Sequence, residues 1–115
     1  MTPKLLNKIK ETTALIGASN PIALLGAVPP DFTFSEYLLD GDWVLYKVDD
    51  FKGNWESGVG VFDFTANAIT RQTVISSSNA DQLVVFLDNG NKIVTSVFDA
   101  KIAQQLLDLI PFPYW

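Results

Sequence analysis

Trp43-Val44-Leu45-Tyr46-Lys47-Val48-Asp49 places Val44, Tyr46 and Val48 on one side of an extended chain and Leu45 and Lys47 on the other. That period of two is the mark of a half-buried strand. Residues 49–54, rich in Asp, Lys and Gly, then read as a loop. A second strand is expected over 56–64, with Gly58 and Gly60 on one face and Val59 and Val61 on the other. Glycines in strand register weaken a strand, so this pair points to a bulge or to the close approach of another backbone. Residues 66–68 turn the chain into a third strand over 69–77, where Ile69, Thr70, Thr73, Val74 and Ile75 suit a pleated surface. Three short strands with tight connections set the expected class as mainly β, an antiparallel β-sandwich or small barrel.

Working outward, Asp88-Asn89-Gly90-Asn91 lies between apolar runs at 82–87 and 92–98. Asn-Gly in that setting is the strongest short-range hairpin signal. Upstream, 12–16 and 22–25 are short β-type runs separated by the turn-rich Gly17-Ala18-Ser19-Asn20-Pro21. Pro29 and Pro30 make the following connection rigid, since each ring fixes its own φ and pushes the preceding residue extended. Two short helices are expected. One covers 35–39, capped by Thr33 or Ser35; the other covers 100–109 behind Asp99, with Ile102, Leu106, Leu107 and Leu109 as its stripe. The chain divides into residues 1–11, a short helix or arm; 12–109, the β-rich domain; and 110–115, an extended tail whose alternating prolines forbid helix.

With 115 residues the chain forms one domain, long enough to bury roughly two-thirds of its unfolded surface. Charged residues make up only 18%, against about 25% in an average domain. Either polar uncharged residues cover the outside, or neighbours cover part of the surface. The net charge of −5 argues against nucleic acid, whose phosphates call for a Lys/Arg stripe. There is no cysteine and no histidine, which removes disulfides, Ser–His and Cys–His nucleophile systems and the commonest metal ligand. No cofactor is expected. No apolar run is long enough to span a membrane, and the basic start is not followed by the apolar segment of a signal peptide. A reducing cytoplasm is the expected place of synthesis.

The central stretch carries a resemblance. Asn54-Trp55-Glu56-Ser57-Gly58-Val59-Gly60, followed by Thr70-Arg71-Gln72-Thr73-Val74-Ile75-Ser76-Ser77-Ser78-Asn79, resembles a short domain that recurs in tailed-bacteriophage virion proteins. In that family a Trp-Glu strand with two alternating glycines precedes an Arg-x-Thr-Val-x-Ser-Ser-Asn strand and a hairpin. Leu25-Gly26-Ala27-Val28, the region 34–41 and the strand around Tyr46 fit the same pattern, so the resemblance covers about residues 12–101. Two departures stand out. Ala80-Asp81 replaces the family's usual glycine-rich loop, and Pro111-Phe112-Pro113-Tyr114-Trp115 has no counterpart. The resemblance implies a particle component: a tail fibre or spike, or a collar-adaptor protein, contacting other virion proteins and commonly trimeric. A head decoration protein on the capsid is the alternative within that system, and a carbohydrate-binding adhesin that touches a host glycan is the alternative of another class.

The same residues have a physical reading. Trp55 beside Gly58 and Gly60 offers a packing platform, and Glu56 faces Arg71 across neighbouring strands, a pair able to fix register. These residues, with Ser77 and Asn79, either hold the core together or face another subunit. Glycoside hydrolysis needs two carboxyl groups about 5–10 Å apart in a cleft. Asp40, Asp42, Asp49 and Asp50 sit instead where turns are expected, and Asp is a good turn former. No EF-hand spacing is present for calcium. Trp43, Trp55 and Trp115 are the candidates for stacking on a sugar. Phe112, Tyr114 and Trp115, spaced by Pro111 and Pro113, are the expected subunit anchor, because an uncovered aromatic end is a sticky liability. The expectation is therefore a non-catalytic structural protein of a virion, working through its contacts.

Overall fold

In the computed structural model, residues 3–15, 21–84, 86, 92–96 and 104 are described. Six strands form one antiparallel sheet: β1 (Lys10–Thr13), β2 (Ile22–Ala23), β3 (Trp43–Asp49), β4 (Trp55–Asp63), β5 (Ala68–Ser77) and β6 (Lys92–Thr95), in the order β1-β6-β3-β4-β5-β2. The two outer strands meet. Thr12 N donates to Gly26 O (3.1 Å), Leu25 N to Thr12 O (2.9 Å) and Val28 N to Lys10 O (2.9 Å), so the segment after β2 lies against β1. The sheet is a nearly closed barrel, a mainly β fold. Gly26 turns this closing segment with φ +122°, a region open to glycine and strained for other residues.

Strand alternation fills the barrel. Val44, Tyr46 and Val48 of β3 and Phe62 of β4 point inward and are almost entirely buried with Ile22, Ile69 and Val94. Phe34 plugs one end from a short 3₁₀ turn, Phe34–Glu36, which stands where the sequence predicts a helical turn over 35–39. Burying a Phe of this kind stabilises by about 2–3 kcal/mol. Thr33 takes the cap position, its N–H donating to Glu36 Oε1 (3.2 Å). Below that turn, the buried Glu11 carboxylate accepts N–H groups from Phe34 (2.8 Å) and Gly26 (3.2 Å), tying the whole connection to β1. Burial raises the Glu11 pKa above its ordinary value, although these two bonds pull the other way.

Gly58 and Gly60 explain the shape of β5. The β4–β5 register shifts between Ser57 and Gly58 and again between Val59 and Gly60, leaving Ile75 and Gln72 as extra residues on β5. A Cβ at Gly58 would run into the Thr73 carbonyl; one at Gly60 would meet Ile69 Cγ2 and sit 2.9 Å from Thr70 O. Both features anticipated from the glycine pair are present: bulges, and backbone in close approach. Bulges increase local twist, which helps a six-stranded sheet curl back on itself.

The first residues are an arm and not a helix. Lys4 N donates to Trp43 O (2.7 Å) and Leu45 N to Lys4 O (2.9 Å), so the arm runs parallel to the start of β3, where β6 does not reach. Lys4, Lys8 and Lys10 have helical spacing, but the open amides of β3 are a stronger pull, and Lys8 takes a φ of +57°. Of the expected strand over 82–87, Gln82, Leu83 and Val84 are not strand, because side chains hold their main-chain groups instead, whereas Phe86 forms a β-bridge. The hairpin turn at 88–91 and the tail at 110–115 lie outside the described residues, as does the helix over 100–109 apart from Gln104.

Candidate functional site

The two halves of the central motif, residues 55–60 and 71–79, converge inside the barrel. Parity along β4 turns Glu56, Gly58, Gly60 and Phe62 inward, and Arg71 of β5 meets Glu56 there. Arg71 Nη1 lies 3.2 Å from Glu56 Oε1 and 3.4 Å from Oε2, with both side chains almost fully shielded from water. Tyr46, from β3, donates its hydroxyl to Glu56 Oε2 at 2.7 Å. Burial, reinforced by the adjacent carboxylate, holds the Tyr46 phenol far above its ordinary range, so it stays a donor. The remaining partner is main chain. Val84 N donates to Glu56 Oε1 (2.8 Å), and Val84 O accepts from Arg71 Nη1 (3.3 Å).

Ser77 and Asn79 complete the same device. Ser77 Oγ donates to Gln82 O at 2.5 Å, Asn79 Nδ2 donates to Leu83 O at 3.0 Å, and Asn79 N donates to Ser77 Oγ at 3.1 Å. Asp81 Oδ1 receives Ser77 N (3.1 Å), and Ala80 and Asp81 both adopt positive φ. The turn after β5 therefore doubles the chain back and delivers Val84 to the Glu56–Arg71 pair. Of the seven motif residues, Glu56, Arg71, Ser77 and Asn79 bond through their side chains to the protein's own backbone, and Glu56 also to Arg71 and Tyr46. Both Glu56 oxygens are thus bonded, and the side chain is fully buried.

Trp55 departs from its expected place. It is the outward neighbour of Glu56, half-buried on the face of β4 opposite Gly58 and Gly60, so it is not a platform beside the glycines. Lys47 Nζ, on the outer face of β3, lies 5.2 Å from the Trp55 ring centroid. Trp43 is also half-buried, and its carbonyl holds the arm. A polar groove of about 280 Å³ opens near Trp55, lined by Asn54, Ser78, Asn79 and Val84.

The candidate carboxylates serve turns. Asp50 Oδ1 accepts Lys52 N (2.7 Å) and Asn54 N (3.1 Å), and Oδ2 accepts Asn54 Nδ2 (2.8 Å). Burial pushes the Asp50 carboxyl up, but these donors outweigh it and hold it below the ordinary range. Asp42 accepts the Lys4 ammonium and Leu39 N, both at 2.8 Å, and is likewise held low. Asp40 takes Phe64 N and Asp63 takes Ala66 N. Among the described residues, no group of three or more Asp, Glu, His or Cys side chains is placed to hold a metal ion. No described helix is long and apolar enough to cross a membrane.

The sequence reading missed one feature. Leu25, Phe32, Tyr37, Leu39 and Phe64 stand exposed, between 39% for Phe32 and 73% for Leu39. They sit on the connections that cross one end of the barrel: Leu25 follows Leu24, which is bonded to Asn67, and Phe64 is bonded through its N–H to Asp40. Phe32 and Tyr37 stack edge to face at 5.9 Å. Singly each residue reads as unremarkable loop; only the barrel gathers them. The anchor residues Pro111, Phe112, Pro113, Tyr114 and Trp115 lie outside the described residues. No family model, curated protein or solved structure matches this chain.

Proposed function

We propose that this protein is a structural component of a tailed-bacteriophage particle, in a tail fibre or spike or in the collar-adaptor region, acting through contacts between subunits and without chemistry of its own. One observation carries the reading. The polar side chains of the motif behind the resemblance, Glu56, Arg71, Ser77 and Asn79, are spent on the chain's own backbone and on each other, while large apolar side chains stand outside. A scaffold built that way offers partners a surface.

Such a protein is made in the host cytoplasm, resides in the virion, and associates as a homotrimer anchored by Phe112, Tyr114 and Trp115. A head decoration protein seated on the capsid differs only in the neighbour it contacts. The test is protein analysis of purified particles, followed by placement of the barrel in a density map of the particle. Detection at stoichiometric copy number on the tail or collar supports the proposal, density on the capsid lattice moves it to the decoration alternative, and absence from washed particles rejects both.

The groove lined by Asn54, Ser78, Asn79 and Val84 favours a second reading, an adhesin domain for a host glycan, because its amide and hydroxyl groups suit hydrogen bonds to a sugar. Binding of host polysaccharide lost on Asn79→Ala together with Trp55→Ala would support it. Unchanged binding, or none, would remove it.

A further inference from the structure

The end of the barrel that carries Leu25, Phe32, Tyr37, Leu39 and Phe64 combines exposed apolar side chains with an excess of carboxylates. Two of the lysines there are matched, Lys4 by Asp42 at 2.8 Å and Lys10 by Asp31 at 3.8 Å. Among the described residues the same connections carry three further carboxylates, Glu36, Asp40 and Asp63, and one further lysine, Lys8, whose carbonyl accepts Phe32 N. Clustered apolar side chains of this kind mark interaction sites. The charge decides which partner fits. Two copies meeting through this end would set carboxylates against carboxylates, a costly arrangement in an interface. A partner with apolar side chains ringed by Lys and Arg meets both features at once.

We infer that this end of the barrel is the docking surface for a basic, apolar protein partner different from the chain itself. The inference rests on the assembly reading above and names the chemistry of one neighbour. Phe64 and Leu39 are the anchors, since they project furthest from connections braced by Asp40 and Asp42. Glu36, Asp40 and Asp63 supply the attraction that orients the partner, and screening weakens it as salt rises.

The experiment uses the full chain, isotope-labelled for NMR, and a short amphipathic peptide of leucine and lysine as probe. Controls are the same peptide with glutamate in place of lysine, and vesicles of zwitterionic lipid. Expected results are shifts confined to this end, affinity at least about tenfold weaker for the glutamate peptide, and a further loss at high salt. Leu39→Ser with Phe64→Ser should lower affinity by about tenfold or more, with the fold checked by circular dichroism. Glu36→Gln, which keeps the oxygen that accepts Thr33 N, should reduce the salt dependence while leaving the barrel intact. Equal binding of the glutamate peptide, tighter binding to the vesicles, an oligomer dissolved by the double substitution, or no binding would each overturn the inference. Absence of the chain from purified particles would sink the assembly reading and leave the peptide result standing; failure of the peptide would do the reverse.

Discussion

Glu56 accepts from three groups at once, the Tyr46 hydroxyl, Arg71 Nη1 and Val84 N, so its replacement is informative. Glu56→Gln leaves the Arg71 guanidinium buried without its counter-charge, and breaking such a pair is expected to cost about 3–5 kcal/mol in urea unfolding. Joint replacement of Tyr46, Glu56 and Arg71 by apolar residues should cost less than the single change, because no charge is stranded. Tyr46→Phe removes one bond to a charged acceptor and should cost about 1.5–3 kcal/mol. Tyr46 also gives a pH signature. Its pKa in the folded chain lies above that of an unfolded tyrosine, so its contribution is complete at neutral pH. That contribution is lost as pH rises past about 10, where the unfolded chain begins to release the proton. A thermal midpoint followed from pH 8 upward should fall in the natural protein, and Tyr46→Phe should flatten the alkaline part of that fall.

At the scale of elements, β4 and β5 are shaped by what glycine leaves out. Gly58→Ala drives a Cβ into the Thr73 carbonyl, a main-chain atom with little room to move, and should cost about 1–3 kcal/mol or more. Gly60→Ala presses first on the Ile69 side chain and should cost less; chemical denaturation of the two variants checks the order. The strands β3 and β4 are legible because residue types alternate along them, β5 because its β-branched residues suit a pleated surface, and the glycine pair announces the bulges. Glu56 and Arg71 were legible as a pair because both belong to neighbouring strands. Trp55 lies away from the glycines because of parity: a residue next to Glu56 in a strand must face the other way. The segment at 82–84 was read as a strand because its apolar run looks like one. The grip of side chains on its backbone depends on contacts 28 residues away, which no local pattern records.

For the whole molecule, closure matters more than any single strand. The sheet meets itself through Lys10–Val28 and Thr12–Gly26 bonds, and the arm at Lys4 covers what β6 leaves open on β3. The exposed apolar end was invisible beforehand, since its members lie between residues 25 and 64 and come together only when the barrel forms. The tail anchors the remaining expectation at this scale. Light scattering should find a trimer for the full chain, and removal of residues 111–115 should shift it toward monomer while the β-type circular dichroism persists. A monomer in both forms would separate the tail from assembly.

Glu56 and Arg71 recognise Val84 by its peptide groups, and the isopropyl side chain has no part in those two bonds. The lock is therefore indifferent to the letter written at position 84 and sensitive only to the grammar of the backbone. The side chain itself packs in the core, so Ile or Leu there should cost about 1–3 kcal/mol in urea unfolding through overpacking alone, whereas Val84→Pro, lacking the N–H that Glu56 Oε1 accepts, should cost more. The knot that ties the turn after β5 to the barrel is thus made through the peptide groups of a single residue.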